Sequence, residues 1–179
     1  MVDINIREEL VQMEKEFAIK VIHVSSNKYI KCKCFNPLYK TGNSKCPLCL
    51  GSGRVTTMSM LNTITYNHSG TSNNSSLGNS IIDENIFIFN HKSKINEKDI
   101  ILIVGFKENS ICDLKEIFKV KYVDNVRGDN GRVEYVVANT SKANQLLNSY
   151  SKVINNLPTY QNTRLMKGEK VLLGDINGI

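Results

Sequence analysis

Residues 32–53 read CKCFNPLYKTGNSKCPLCLGSG, a stretch that holds four of the five cysteines of the chain. These cysteines form two close pairs, Cys32 with Cys34 and Cys46 with Cys49, separated by an eleven-residue loop. This arrangement suits a tetrahedral metal ion, because each pair supplies two thiolates from one tight turn and the loop brings the turns face to face. The stretch therefore predicts a four-cysteine zinc site. Because thiolates fill all four positions, the zinc is expected to be structural rather than catalytic.

The first pair departs from the usual zinc spacing, since only Lys33 separates its two cysteines where two to four residues are typical. Three other interpretations stay open: reduced thiols without a metal, a disulfide framework, and a redox-active pair. Disulfides persist mainly in oxidising compartments, and the polar N-terminus MVDINIREELVQMEK lacks the apolar core of a signal peptide. A thioredoxin-like site needs a helix after its cysteines, whereas Gly-Ser-Gly follows Cys49. Cys112 is predicted to be an isolated thiol.

The net charge of +6 is concentrated in one part of the chain. Residues 17–82 contain no Asp or Glu but carry six lysines and one arginine, a formal +7. A basic zinc module of this kind can contact phosphates. Alternatively, the lysines only offset the thiolate charge and solvate the surface of the module. The candidate contacts to nucleic acid or to a partner are Lys28, Lys31, Lys33, Lys40, Lys45 and Arg54.

Periodicity and turn residues divide the chain into five segments. Residues 1–17 are predicted to contain a helix at 4–16, capped by Asp3, with its apolar face formed by Ile6, Leu10, Met13 and Phe17. The other segments are a strand-flanked zinc module (18–66), a flexible polar loop (67–80), a β-barrel core (81–140), and a C-terminal helix and tail (141–179).

Finer features follow within these segments. Strands are predicted at 18–24, 55–66, 84–91, 116–126 and 131–139, and residues 95–106 are predicted to form a turn followed by a strongly apolar strand. The Asn-Gly pair at 130–131 predicts a tight hairpin turn. Ser141 is expected to cap the last helix, which Pro158 is expected to end. His23 is predicted to be an ordinary strand residue.

This order of elements predicts an α+β fold, a small antiparallel β-barrel or sandwich with peripheral helices and an inserted four-cysteine zinc module. No apolar run approaches the roughly 18 residues needed to span a membrane. The sequence also lacks a phosphate-binding glycine loop, a nucleophile elbow and an H-E-x-x-H motif, so we expect that the protein is not an enzyme.

Two resemblances bear on function. CPLCLGSG resembles one C-x-x-C-x-G-x-G unit of DnaJ-type chaperones, which carry several. Over residues 30–140, the cysteine module followed by IFIFNHKSKINEKDIILIV and EIFKVKYVDNVRGDNGRVEYVVAN resembles tailed-bacteriophage virion proteins of the neck or head–tail connector group. In that group, which includes head-completion, stopper and adaptor proteins, a polar turn ending in Asp similarly leads into an apolar barrel strand, as at Asp99.

The second resemblance implies assembly rather than chemistry. Copies of the chain would form a cyclic ring, since heterologous contacts that close give rings. The ring would join portal, adaptor or tail proteins of a virion assembled in the host cytoplasm, with DNA in its channel and no membrane contact. The N-terminal helix, the 67–80 loop and the 159–179 tail are the expected contact segments. Two alternatives stay open: a zinc-ribbon nucleic-acid-binding protein, and a virion component at another site such as the baseplate.

Overall fold

The computed structural model describes residues 5–46, 48–72, 80–108, 110–128 and 130–173. At residues 67–72 and 80–84 it describes the backbone alone. The described residues form three α-helices, seven β-strands and one 3-10 turn. These elements are α1 (Ile6–Phe17), β1 (Ile19–Lys31), β2 (Arg54–Ser72), β3 (Ser80–Asn90), β4 (Ile100–Lys107), β5 (Ser110–Arg127), β6 (Val133–Lys142), the 3-10 turn (Asn144–Leu146), α2 (Leu147–Asn155), α3 (Thr159–Met166) and β7 (Val171–Leu172).

The chain divides into two compact units, and each is built from separate stretches of sequence. The first unit comprises Met1–Lys20, Asn62–Lys98 and Phe118–Lys142, and the second comprises Val21–Leu61, Asp99–Ile117 and Ala143–Ile179. The long strands β2 and β5 each contribute one part to each unit. The sequence segments 18–66 and 81–140 are accordingly both shared between the units.

The first unit contains an antiparallel sheet in which β3 is flanked by β2 and β6, and β6 also pairs with β5. Side chains alternate along β3, with Phe87 and Phe89 fully buried and Ile86 and Ile88 half-buried, as expected for a strand with one face on a core. The rings of Phe87 and Phe118 meet edge to face with 5.3 Å between centroids. Aromatic packing thus forms the centre of this core.

Helix α1 is held against β6 by charge as well as by packing. Arg7 Nε lies 3.0 Å from Glu134 Oε2, and Arg132 Nε donates a 2.6 Å hydrogen bond to the other oxygen of the same carboxylate. Arg7 also donates to the carbonyl oxygen of Val133. Leu10 is the buried member of the predicted apolar face of the helix, whereas Ile6, Met13 and Phe17 are exposed.

The Glu134 carboxylate makes the stability of this attachment depend on pH. The hydrogen bond from Arg132 and the charge of Arg7 hold the pKa of Glu134 below its usual value. A lowered pKa stabilises the fold above the unfolded-state pKa, and this contribution is lost as the pH falls through the folded-state value. We expect Glu134→Gln to lower the free energy of unfolding at neutral pH and to match the wild type once both are titrated below that range. Urea unfolding at both pH values measures this, and an equal deficit at both would contradict the ionic explanation.

The second unit contains the larger core. Residues 21–24 of β1 pair antiparallel with residues 100–103 of β4, and β1 also pairs with β2. Strand β7 pairs antiparallel with β2, where Met58 lies opposite Val171. Helices α2 and α3 pack their apolar sides on this sheet, because every large apolar side chain that they bury joins one cluster. Its fully buried members include Ile22, Met58, Leu102, Ile154, Leu165 and Leu173.

A buried side-chain hydrogen bond joins the start of β4 to β1 in this unit. His23 Nε2 lies 2.8 Å from Asp99 Oδ2, and both side chains are about 7% exposed. His23 is a residue of strand β1, as predicted, and Asp99 is the polar partner that burial of its imidazole requires. Asn162 has a similar role on α3, since its amide both accepts from and donates to the backbone of Ile111.

Several predicted boundaries differ in the structure. Part of the expected 67–80 loop is strand. Strand β2 continues through Ser72, β3 begins at Ser80, and these two residues pair with each other. Positions 73–79 lie outside the described residues. Ser141 does not cap a helix. It is a residue of β6 and pairs with Lys119 of β5. Pro158 begins α3 as its N-cap rather than only ending α2, which stops at Asn155. The expected tail thus includes a helix. The Asp3 cap lies outside the described residues.

The predicted fold class is confirmed in its coarser form: antiparallel strands dominate, helices are few, and a four-cysteine module is inserted between two strands. The hairpin turn at 130–131 is also present, with Gly131 at a φ of 75° and its amide donating to Gly128. Within the part of the chain that the structure describes, we find no helix with the length and apolar character required to cross a membrane.

Candidate metal centre

The cysteine module spans residues 32–53 and lies between the end of β1 and the start of β2. The amide of Cys32 donates a 2.9 Å hydrogen bond to the carbonyl of Gly53, which closes the base of the module. Hydroxyl contacts continue this closure along the two strands, from Ser25 to Thr57 at 3.1 Å. The module is therefore a closed loop on a β-ladder, as the sequence predicted.

The four predicted ligands come together in space. Cys34 Sγ lies 3.4 Å from Cys49 Sγ and 3.7 Å from Cys32 Sγ, and the latter lies 3.7 Å from Cys46 Sγ. All four sulfur atoms lie within 4.8 Å of one another. A tetrahedral ion with metal–sulfur bonds of about 2.3 Å places its sulfurs roughly 3.8 Å apart. The cluster thus has the dimensions of a four-thiolate site, and it can hold a metal ion.

The cysteines are free thiols, and all four are shielded from solvent to some degree. Cys32 and Cys49 are buried, whereas Cys34 and Cys46 are half-buried. Their sulfur separations are far longer than the roughly 2.0 Å of a disulfide. Cys112 is exposed and lies outside the cluster, where its thiol donates to Asp113 at 2.9 Å. Among the described residues, this cluster is the only group with metal-ligand geometry.

Backbone turns position the sulfur atoms. The amide of Phe35 donates to the Cys32 carbonyl at 3.0 Å, and the amide of Leu50 donates to the Cys46 carbonyl at 2.8 Å. These turns leave other amides free to donate to sulfur: Gly51 and Gly53 to Cys49, and Asn43 to Cys34. Such N–H donors stabilise thiolates, so the backbone is arranged for negatively charged sulfur.

The four cysteines of the cluster do not share one pKa, because their surroundings differ. The Asn43 amide lowers the pKa of Cys34 to about 7, so this thiol ionises near neutral pH. Burial, with the neighbouring Cys34 sulfur, raises the pKa of Cys49 to about 12. Burial likewise raises the pKa of Cys46. Burial thus opposes ionisation of two of the four thiols, and a bound metal ion would supply the positive charge that favours four thiolates.

Two glycines allow the halves of the module to approach closely. A Cβ atom on Gly42 would lie 2.7 Å from the backbone of Gly53 and 3.0 Å from Cys34 Sγ. Gly53 has a φ of 69°, a conformation that favours glycine. The amide of Gly42 also donates to the carbonyl of Gly51 at 3.0 Å. Gly42 is thus a structural residue of the site that the cysteine spacing did not reveal.

The module also contacts the core of the second unit. Leu50, next to Cys49, packs against the apolar cluster, and its backbone holds a positive φ of 45°. Burial, with the charge of the nearby Cys49 sulfur, raises the pKa of the Tyr150 phenol on α2. The second cysteine pair is therefore continuous with the hydrophobic core.

The predicted basic residues lie on the outside of the module and its supporting strands. Lys28, Lys31, Lys33, Lys40 and Lys45 are exposed, and half-buried Arg54 donates to the carbonyl of Lys28. Three large side chains lie beside them in the chain. Tyr29, Leu38 and Tyr39 are 93%, 86% and 76% exposed.

Comparison with known proteins adds no relative. No protein-family model matches the chain, and a search of curated proteins returns no match. Function is therefore argued from the geometry of the metal centre and the exposed surfaces.

Proposed function

We propose that this chain is a structural virion protein of a tailed bacteriophage, a ring-forming subunit of the neck that joins the head to the tail, and that it has no enzymatic activity. The resemblance in the cysteine module and the following strands motivates the phage assignment. The observation that carries an assembly role is the exposed apolar face of α1. Three large side chains of that face are 41–64% exposed: Ile6, Met13 and Phe17.

The metal in this proposal is zinc, and its role is structural. Four thiolates at tetrahedral spacing favour zinc over harder cations, which prefer oxygen ligands. A complete protein shell leaves no position for a substrate or an activated water. Residues 32–53 bury few large apolar side chains of their own, and the metal would replace the core that such a small module lacks.

The exposed face of α1 suits a contact between copies of the chain. A twelve-residue helix that buries only Leu10 leaves its remaining apolar side chains to be covered by another surface. If that surface differs from the helix itself, the contact is heterologous, and copies related by a rotation that closes form a ring. The barrel form of the sheet belongs to the same proposal. It is supported by β1, which pairs with both β4 and β2.

Oligomerisation tests this proposal. We expect native mass spectrometry of the zinc-loaded chain to show closed oligomers with one zinc per subunit. The double substitution Met13→Glu and Phe17→Glu is expected to convert them to monomers, because burying either carboxylate in an apolar contact costs several kcal/mol. Zinc content should not change, since the metal ligands lie in the other unit.

The matched control is Gln12→Glu, which adds a charge at an exposed polar position of the same helix. It should leave the oligomers intact. A wild-type chain that stays monomeric at every concentration would contradict the ring, and oligomers that persist in the double variant would move the contact away from α1. A baseplate position predicts the same oligomers, so labelling of assembled particles distinguishes it from the neck.

A further inference from the structure

Aromatic side chains stand in solvent beside lysines at the end of the cysteine module. Tyr29 is 93% exposed and Tyr39 is 76% exposed, although tyrosine normally buries much of its ring. Lys28, Lys31 and Lys40 are exposed next to them in the chain. We refer to these five residues as the basic aromatic patch.

Side-chain and backbone contacts connect the two parts of the patch. The Lys31 ammonium lies 4.9 Å from the centroid of the Phe35 ring, which links the end of β1 to the turn that follows Cys34. The next residue, Asn36, accepts from the amide of Leu38 at 2.9 Å and from that of Tyr39 at 3.4 Å. Asn36 also pairs with Thr41 as an isolated bridge. The turn that carries Tyr39 is thus fixed relative to β1.

A turn of the same kind, in which an asparagine side chain accepts from amides two and three residues later, fixes the backbone of Tyr29. The side-chain oxygen of Asn27 accepts from the amides of Tyr29 and Ile30 at 2.9 and 3.3 Å. The backbone beneath each ring is therefore ordered while the ring itself lies in solvent. Pre-ordered aromatic side chains lose little entropy when a flat partner stacks on them.

Charge identifies the partner as anionic. No Asp or Glu occurs from residue 17 to residue 82, so no carboxylate of that stretch neutralises the lysines of the patch. Lysine is depleted at protein–protein contacts, whereas lysines beside exposed aromatic rings are typical of surfaces that bind unpaired nucleic-acid strands. In a duplex the base faces are already stacked and cannot receive a tyrosine ring.

We propose that the basic aromatic patch binds single-stranded nucleic acid, with Tyr29 and Tyr39 stacking on bases and the lysines contacting phosphates. This binding site uses a surface separate from the α1 face and does not depend on the formation of a ring. Its failure and the failure of the proposed assembly are therefore distinguishable, because strand binding and oligomeric mass are measured separately.

Fluorescence anisotropy with a labelled oligothymidylate of about 20 nucleotides tests the proposal on the full zinc-loaded chain at about 50 mM salt. The substitutions Tyr29→Ala and Tyr39→Ala together should weaken binding by about tenfold or more, since stacking contributes roughly 1–3 kcal/mol per base. Lys28→Gln with Lys40→Gln should reduce the slope of log affinity against log salt by about 1.4.

The matched control is Tyr122→Ala with Lys119→Gln, an exposed tyrosine and lysine on β5. This variant should bind the oligonucleotide as the wild type does. Zinc content and circular dichroism of every variant establish that the substitutions leave the fold intact.

Three results would overturn the proposal. The first is that the wild type shows no saturable binding of the oligothymidylate. The second is that the wild type binds a duplex of the same length with equal affinity and that the tyrosine substitutions do not change this affinity. The third is that the wild type binds a poly-glutamate peptide more tightly than the oligothymidylate. The last result would assign the patch to an acidic protein segment.

Discussion

Replacement of Cys49 by Ser is expected to abolish stoichiometric zinc binding and to unfold residues 32–53. Cys49 is 2% exposed, receives amide hydrogen bonds from Gly51 and Gly53, and lies 3.4 Å from Cys34 Sγ. A serine hydroxyl is a poor zinc ligand, and structural zinc contributes on the order of 10 kcal/mol of apparent folding free energy in small modules. Metal analysis of the purified variant and urea unfolding with and without a chelator measure both effects.

The control for this experiment is Cys112→Ser, which removes the same atom type from an exposed position outside the cluster. It should retain one zinc per chain and the wild-type unfolding curve. If Cys49→Ser retained one zinc, or if a chelator left the wild-type unfolding curve unchanged, the assignment of a structural metal would be wrong.

Substitution of Gly42 by Ala is expected to weaken zinc binding by about tenfold or more although the substitution changes no ligand. The added methyl group would lie 2.7 Å from backbone atoms of Gly53, which cannot rotate away, and 3.0 Å from Cys34 Sγ. Overpacking of this kind costs roughly 1–3 kcal/mol, and each 1.4 kcal/mol corresponds to about a tenfold change in affinity. Competition with a chromophoric chelator measures the change.

Gly131→Ala provides the comparison, because a Cβ there meets nothing within 4 Å and tests only the cost of a positive φ. This variant should lose some stability and keep its zinc affinity. Wild-type zinc affinity in Gly42→Ala would show that the two halves of the module separate more easily than the structure indicates.

The metal ligands and most strands could be predicted from the sequence because their signals are local. Two cysteine pairs on either side of a short loop define a chelating geometry almost independently of the surrounding fold. Alternating residues likewise define β3, where Phe87 and Phe89 share the buried face. The apolar side of α2 followed in the same way, and Tyr150 and Ile154 are buried as its periodicity predicts.

The features that could not be predicted depend on residues far apart in the chain. His23 and Asp99 are separated by 76 positions, and only the antiparallel pairing of β1 with β4 brings them together. Serine is a residue type that favours helix N-caps, but Ser141 pairs with Lys119 of β5 and extends β6 instead. The burial of a helix face also depends on what lies opposite, so the apolar stripe of α1 predicts a helix but does not predict which of its side chains are buried.

The contact of Leu50 with the core has a consequence for the life of the protein in a cell. Because the residue beside Cys49 is part of the hydrophobic cluster, loss of the metal would loosen one wall of that cluster as well as the module. Ligand binding to the folded state raises its apparent stability in proportion to the logarithm of free ligand concentration. If the site holds zinc as proposed, the fraction of folded chains would therefore rise with the supply of the metal during synthesis.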